Sequence, residues 1–182
     1  MRKIFTLILL CISMTIHGQQ KGFYHIQKSH VDFMSDAPSE LIQAGSNQLK
    51  GILDMDHGMF AFRISINTFT GFNNPLQQGH FNENYMESDI FPEATYSGKI
   101  IENIDYSKKG TYIIRTKGKL VIHGIPQERI IKATINIEDN KIVVQSNFTV
   151  LLADYNIKIP RIVDNNLSKE IKVAVKATFV NK

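Results

Sequence analysis

From Met59 to Phe69 the chain keeps a period of two. Phe60, Phe62, Ile64 and Ile66 fall on one face, and Ala61, Arg63, Ser65 and Asn67 on the other. Successive side chains of an extended strand point to opposite faces, so this pattern predicts a strand buried on one side. It recurs through most of the chain. Tyr112, Ile114, Thr116, Gly118, Leu120 and Ile122 oppose Arg115, Lys117 and Lys119. Inward rows follow over Ile131–Ile137, Ile142–Val150 and Ile171–Phe179, and shorter extended stretches cover Phe23–Phe33, Gln48–Leu53 and Thr95–Ile101. Turn residues separate them at Asp56-His57-Gly58, Ser107–Gly110, His123–Pro126 and Glu138–Lys141. Pro38 suggests a short helical turn over Ser35–Ile42, and Gly118 suggests a bulge or bend. Long helical periodicity is absent. About eight or nine strands with short connections predict an all-β fold, an antiparallel meander closed into a barrel or folded as a sandwich. Closure into a barrel removes exposed edges.

One stretch breaks the alternation. His80-Phe81-Asn82-Glu83-Asn84-Tyr85-Met86-Glu87-Ser88-Asp89-Ile90-Phe91-Pro92 is too irregular for a strand. Asn74 is a good N-cap, Pro75 suits the first helical position, and Pro92 ends any helix at or before Phe91. A short helix here would form a lid of His80, Phe81, Tyr85 and Met86 over one end of the barrel. Phe81 and Tyr85, four apart, would share a face. Such aromatics also serve simply as core.

Residues 1–20 carry the features of an export signal. Arg2 and Lys3 form a basic start, Ile4–Ile16 an apolar run too short to span a bilayer comfortably, and Gly18 a small residue before the cut. Cleavage near Gly18 would leave Gln19 or Gln20 first, and residues 21–182 as one domain, periplasmic or secreted. Cys11, the only cysteine, follows Leu10 where a lipid-anchor motif needs a small residue. The mature chain would therefore hold no cysteine, which excludes disulfides, thiol catalysis and thiolate metal sites. No later run reaches transmembrane length. Loss of Arg2 and Lys3 removes two charges from the formal +4. The lysines sit on alternating, solvated strand positions, with no basic stripe for nucleic acid.

Reactive constellations are sparse. His80, Glu83 and Glu87 could share a helical face and hold a metal, but no second histidine lies at ligand spacing. Ser88-Asp89 with His80 superficially resembles a hydrolase trio, yet no Gly-x-Ser-x-Gly elbow is present. His123 reads as structural. Neither catalytic residues, a metal site nor a cofactor is expected. The inward rows are almost wholly aliphatic and aromatic, so any ligand should be apolar.

Three segments stand out together: His80-Phe81 through Ser88-Asp89 with Phe91-Pro92-Glu93-Ala94-Thr95-Tyr96, then Gly118–Pro126, then Asp154–Pro160. They resemble the YceI-like family, lipocalin-like barrels of exported bacterial proteins. The resemblance runs from about Phe23 to Phe179. It implies an eight-stranded antiparallel barrel with one or two short helices, binding a polyisoprenoid or similar long lipid, often as a homodimer. Two departures lie where the mouth of such a pocket would be. Asn47–Leu53 stands in place of a Val-x-Gly-x-Phe strand, and Leu76-Gln77-Gln78-Gly79 in place of an Arg-Asp pair. On this basis the apolar pocket is expected to draw on Phe60, Phe62, Ile64, Ile66, Tyr96, Tyr112, Ile114, Leu120, Ile135, Val144, Phe148, Val173 and Val175. The expected function is carriage or sequestration of an apolar chain-like lipid. The alternatives are an enzyme acting on such a lipid, with His80 as acid or base, and a filled barrel acting through its surface in an envelope complex.

Overall fold

The alternating segments become strands that wind into a single closed sheet. The computed structural model describes residues 22–181, so the export signal expected over residues 1–20 lies outside the described residues. The strands are β1 (Phe23–Asp36), β2 (Leu41–Ser46), β3 (Lys50–Asp54), β4 (Met59–Ser65), β5 (Glu93–Ile100), β6 (Gly110–Ile122), β7 (Ile125–Ile137), β8 (Lys141–Leu151) and β9 (Glu170–Asn181). Neighbours pair antiparallel in chain order from β3 to β9, and β1 closes the ring by pairing with β9. β2 and β3 are two halves of one strand. Val31 lies opposite Ser46 and His25 opposite Ile52, with equal spacing on both sides. Counted so, the sheet is an eight-stranded antiparallel barrel.

The break between β2 and β3 shapes the interior. At residues 47–49 the ladder bonds are replaced by a side chain: Ser29 Oγ lies 3.2 Å from the Asn47 carbonyl and 3.4 Å from that of Leu49. Buried backbone carbonyls need such partners. Below the break β3 pairs with β4, from Lys50–Arg63 to Asp54–Met59. Above it β2 parts from β4, and the segment following β4 fills the gap. Gly45 and Thr70 exchange backbone bonds of 2.8 and 2.9 Å there. An added chain segment widens the barrel at that level.

Antiparallel order sorts the connections between two ends. Residues 37–40, 66–92, 123–124 and 152–169 lie at one end, here the open end; 55–58, 101–109, 138–140, the start of β1 and the end of β9 lie at the other. The closed end is filled by side chains. Leu53, Met55, Phe60, Ile114, Ile135, Ile137, Ile142 and Phe179 pack into one cluster, with Ile135 fully buried and Phe179 1% exposed. Phe60, Phe62, Ile64 and Ile66 all point inward while Arg63 and Asn67 are exposed, although the strand ends at Ser65 and Ile66 begins a 3-10 turn.

Two local expectations are corrected. Ser35–Ile42 is not a helical turn: β1 runs to Asp36, β2 starts at Leu41, and the Ala37 amide donates to the Glu40 carbonyl at 3.1 Å. That bond closes a hairpin; a helix would run it the other way, from a later amide to an earlier carbonyl. Gly118 makes no bulge, since β5 and β6 pair without a register shift from Thr95–Val121 to Ile100–Thr116. The glycine serves close approach instead. Gly98 sits directly opposite Gly118, and a Cβ on Gly98 would strike the Lys117 carbonyl and lie 2.5 Å from Gly118 Cα. Gly98→Ala should therefore cost about 1–3 kcal/mol in urea unfolding by forcing two strands apart. Gly79→Ala is the control: it sits in the helix of the open end with nothing within 4 Å, and should gain about 0.5–1 kcal/mol.

Candidate functional site

The open end is covered by the segment that broke the alternation. Asn74 caps a helix, α1 (Pro75–His80), its side chain accepting from the Gln77 amide at 2.9 Å, with Pro75 in the first turn. The helix then widens into a π turn over Phe81–Tyr85. Asn82 Nδ2 donates to the Gln78 carbonyl at 3.1 Å, an acceptor it shares with the Phe81 amide, and the Met86 amide reaches back to the Phe81 carbonyl at 2.9 Å. At Glu87 the chain turns in a left-handed conformation, φ 44°. The Ile66 amide donates to the Pro92 carbonyl at 2.8 Å, tying the two ends of the excursion together.

Beneath this lid lies a cavity of about 500 Å³, within the range of small-ligand sites. Of the residues expected to line a pocket, Phe62, Ile64, Ile66, Tyr96, Leu120, Val144, Phe148, Val173 and Val175 face it, as do His80, Phe81, Tyr85 and Met86 of the lid. Phe60, Tyr112, Ile114 and Ile135 lie instead in or against the packed closed end. The barrel is thus filled in one half and hollow in the other. Phe81 anchors the lid in an aromatic cluster. Its ring stacks on Phe33 at 5.2 Å, with Phe72 at 5.1 Å and Phe69 at 6.0 Å.

Three hydroxyls of the cavity wall, on Tyr96, Thr116 and Ser146, are engaged by the protein itself. Tyr96 donates to Thr116 Oγ1 at 2.9 Å, Thr116 donates to the Ile131 carbonyl at 3.0 Å, and Ser146 donates to the Lys132 carbonyl at 2.7 Å. Burial pushes the Tyr96 phenol above its ordinary pKa, partly offset by the bond with Thr116, and burial alone raises that of Tyr85. Both phenols stay neutral at physiological pH. The inner wall therefore offers surface area and little polar grip.

The mouth is organised by Glu40, which sequence reasoning missed. One carboxylate oxygen accepts from Gln77 Nε2 on α1 at 2.8 Å, and the other from Asn166 Nδ2 at 3.3 Å. A single side chain thereby joins the β1–β2 turn, the lid and the connection before β9. Val31, Phe33, Phe69, Phe72 and Ala133 also line the cavity without having been singled out. Val31 and Phe33 share a strand face in the sequence, which was the available signal; Phe69 and Phe72 belong to irregular backbone and gave none.

One acid of the lid is engaged by a histidine outside it. Glu87 leaves the helical face of His80 and Glu83 because the helix ends at Tyr85. Its Oε2 lies 2.6 Å from His123 Nε2, and His123 Nδ1 donates to the Tyr155 carbonyl at 3.0 Å. Phe91 packs edge-on against the imidazole at 4.6 Å. His123 and Gly124 form a two-residue hairpin with φ 51° and 70°, which presents the ring to the lid. His123 thus latches the end of the lid to the β6–β7 turn. Among the described residues no group of three His, Cys, Asp or Glu side chains is placed to hold a metal ion, and no helix is long and apolar enough to cross a membrane.

Known structures share this architecture. A polyisoprenoid-binding domain from Saccharophagus degradans, implicated in plant cell wall breakdown, superposes with TM-score 0.74 at 16% identity, over 87% of this chain and 98% of its own. Burkholderia cenocepacia BcnA gives 0.68 at 13% identity, over 82% and 95%. The Campylobacter jejuni YceI protein gives 0.57 at 17% identity, over 100% and 94%. No curated protein matches the chain significantly. The family model of the YceI-like domain matches residues 24–179. With that match spanning the whole barrel, the chain belongs to the YceI-like family.

Proposed function

We propose that this protein binds an apolar, chain-like lipid, isoprenoid-like in character, and carries or sequesters it outside the cytoplasm. The observation that carries the reading is the cavity of about 500 Å³ with a mostly aliphatic and aromatic lining, where the Tyr96, Thr116 and Ser146 hydroxyls are bonded to the protein itself. A ligand there gains by burial: at about 0.8 kcal/mol per methylene, ten buried methylenes supply roughly 8 kcal/mol before the costs of immobilisation. A long chain needs few polar contacts to bind under these terms. Phe62, Ile64, Ile66, Tyr96, Leu120, Val144, Phe148, Val173 and Val175 form the ligand wall, and Phe81, Tyr85 and Met86 the cover, with His80 at the mouth. Met86 adds a side chain that adapts to irregular shapes. Phe60, Tyr112, Ile114 and Ile135 form the packed end beneath. The solved neighbour described as a polyisoprenoid-binding domain supports the ligand class by likeness of fold. The basic start and apolar run of residues 2–16 support export. We read the role as binding rather than catalysis, in keeping with the solved neighbour described as a polyisoprenoid-binding domain.

Native mass spectrometry tests the reading. Protein incubated with a long-chain prenol, then desalted, should carry one added lipid mass that survives gentle ionisation. A spectrum showing apoprotein alone, from material that keeps its β-sheet circular dichroism, would reject it.

A further inference from the structure

We propose that His123 is a pH-sensitive latch: as the imidazolium it holds the end of the lid over the cavity, and loss of a proton frees the lid and speeds release of the ligand. The proposal rests on the reading of the cavity as a lipid site. Its own evidence is a pair of acceptors around one ring. Glu87 Oε2 lies 2.6 Å from Nε2, and the Tyr155 carbonyl 3.0 Å from Nδ1. A carboxylate and a carbonyl only accept, so both contacts are hydrogen bonds only while both ring nitrogens carry protons. The neutral ring has a single proton and must give up one partner.

Burial decides which partner is lost. Tyr155 is fully buried, and among the described residues the imidazole is the only donor to its carbonyl. Losing that donor would leave a buried acceptor unpaired. The Glu87 side chain is 45% exposed, so water can serve its oxygens instead. The neutral ring therefore keeps its proton on Nδ1 and turns the Nε2 lone pair toward the carboxylate, and the contact becomes repulsive. No other charged group takes its place. Asp89 on the lid and Asp154 in the 3-10 turn Leu152–Tyr155 are exposed, and neither is bonded to the ring. Phe91 closes the remaining side, and the β6–β7 turn adds no charge besides His123 itself.

The latch acts where the lid turns back. Glu87 follows Met86, which is buried and faces the cavity. The Ile90 and Phe91 amides both donate to the Glu87 carbonyl at 2.8 Å, so the carboxylate sits on a compact turn that moves with it. The ties at the start of the lid, the Asn74 cap and the bond from Gln77 to Glu40, contain no histidine, which confines the change to the Met86–Glu87 end. The latch is fastened in mild acid and opens as pH rises through the range in which imidazoles titrate, about 6–7.

Off-rates of a fluorescent prenol at about pH 5.5 and about pH 8.5 test this. Wild-type protein should release it about tenfold or more faster at the higher pH, the loss of one charge-assisted hydrogen bond. Glu87→Gln supplies an amide that accepts from the ring N–H or donates to its lone pair, so its off-rate should change less than about twofold. His80→Gln, which removes the exposed imidazole of the mouth, should keep the wild-type pH dependence. In ligand-free protein, nuclear magnetic resonance should show two N–H protons on the His123 ring at the lower pH and one, on Nδ1, at the higher. The Met86 methyl resonance should shift with the same midpoint. Equal wild-type off-rates at the two pH values overturn the proposal, as do a Glu87→Gln variant that keeps the full pH dependence and a ring whose proton count does not change. Failure of the protein to bind prenol at either pH would reject the cavity reading, and the ring and Met86 resonances of the ligand-free protein would still decide the latch.

Discussion

Phe179→Ala should destabilise the barrel by about 3–5 kcal/mol. Phe179 is 1% exposed and lies in the filled end, with the Phe62 ring 5.7 Å away and Leu53, Phe60, Ile114, Ile135 and Ile142 in the same cluster. Strands from around the ring meet there, and their hydrogen-bonded backbones resist collapse into the space left behind. The cost therefore contains both the lost burial of a phenyl ring and the residual cavity. A urea titration should show a lower midpoint with an unchanged slope, because the surface exposed on unfolding is nearly the same. Phe148→Ala supplies the comparison. That ring lines the hollow half and is only partly buried, so its removal should cost about half as much or less. Equal losses at the two positions would contradict the division of the barrel into a packed and a hollow half.

Phe81→Ala should speed release of a bound prenol about ten- to hundredfold, the kinetic equivalent of losing about 1.5–3 kcal/mol of apolar contact. Phe81 sits at the junction of the lid and the wall. It lines the cavity and stacks on Phe33 while touching the cluster of Phe69 and Phe72. Truncation removes the ring that holds the π turn down over the ligand, while α1 keeps its Asn74 cap and the far end of the lid keeps its link to His123. The lid should loosen without unfolding the barrel. Chasing a fluorescent prenol with excess unlabelled prenol gives the off-rate, and a thermal melt of the same sample gives stability. A large fall in melting temperature with an unchanged off-rate from the folded fraction would show that Phe81 is core and not gate.

Strands were legible in this sequence because burial on one face imposes a period of two on side chains, and a one-residue slip would turn Phe62 outward and Arg63 inward. The helix at residues 75–80 was legible for a local reason: Asn74 and Pro75 act through backbone geometry within one turn. The turn at Ser35–Ile42 was misread because Pro38 is tolerated both in a first helical turn and in a hairpin, and only pairing partners distinguish them. Gly118 could not announce its purpose. Its need for a missing Cβ arises from Gly98 on the neighbouring strand, twenty residues away, as their register shows.

The sequence by itself determined the all-β class, the inward rows and the place of the lid, since each follows from short-range periodicity or from capping chemistry between near neighbours. Only the tertiary structure decided that the barrel is half filled and half hollow. Inward rows of similar composition line both halves; Phe60 packs in the closed-end cluster, while Ile64, beyond the last β3–β4 pair, lines the cavity at the level where β2 parts from β4 and the segment at Thr70 enters the gap. The roles of Glu40 and His123 were likewise invisible in one dimension. Glu40 acts through Asn166 and His123 through Glu87, and such long-range hydrogen bonds exist only once closure of the sheet has brought those distant segments to the same end of the barrel.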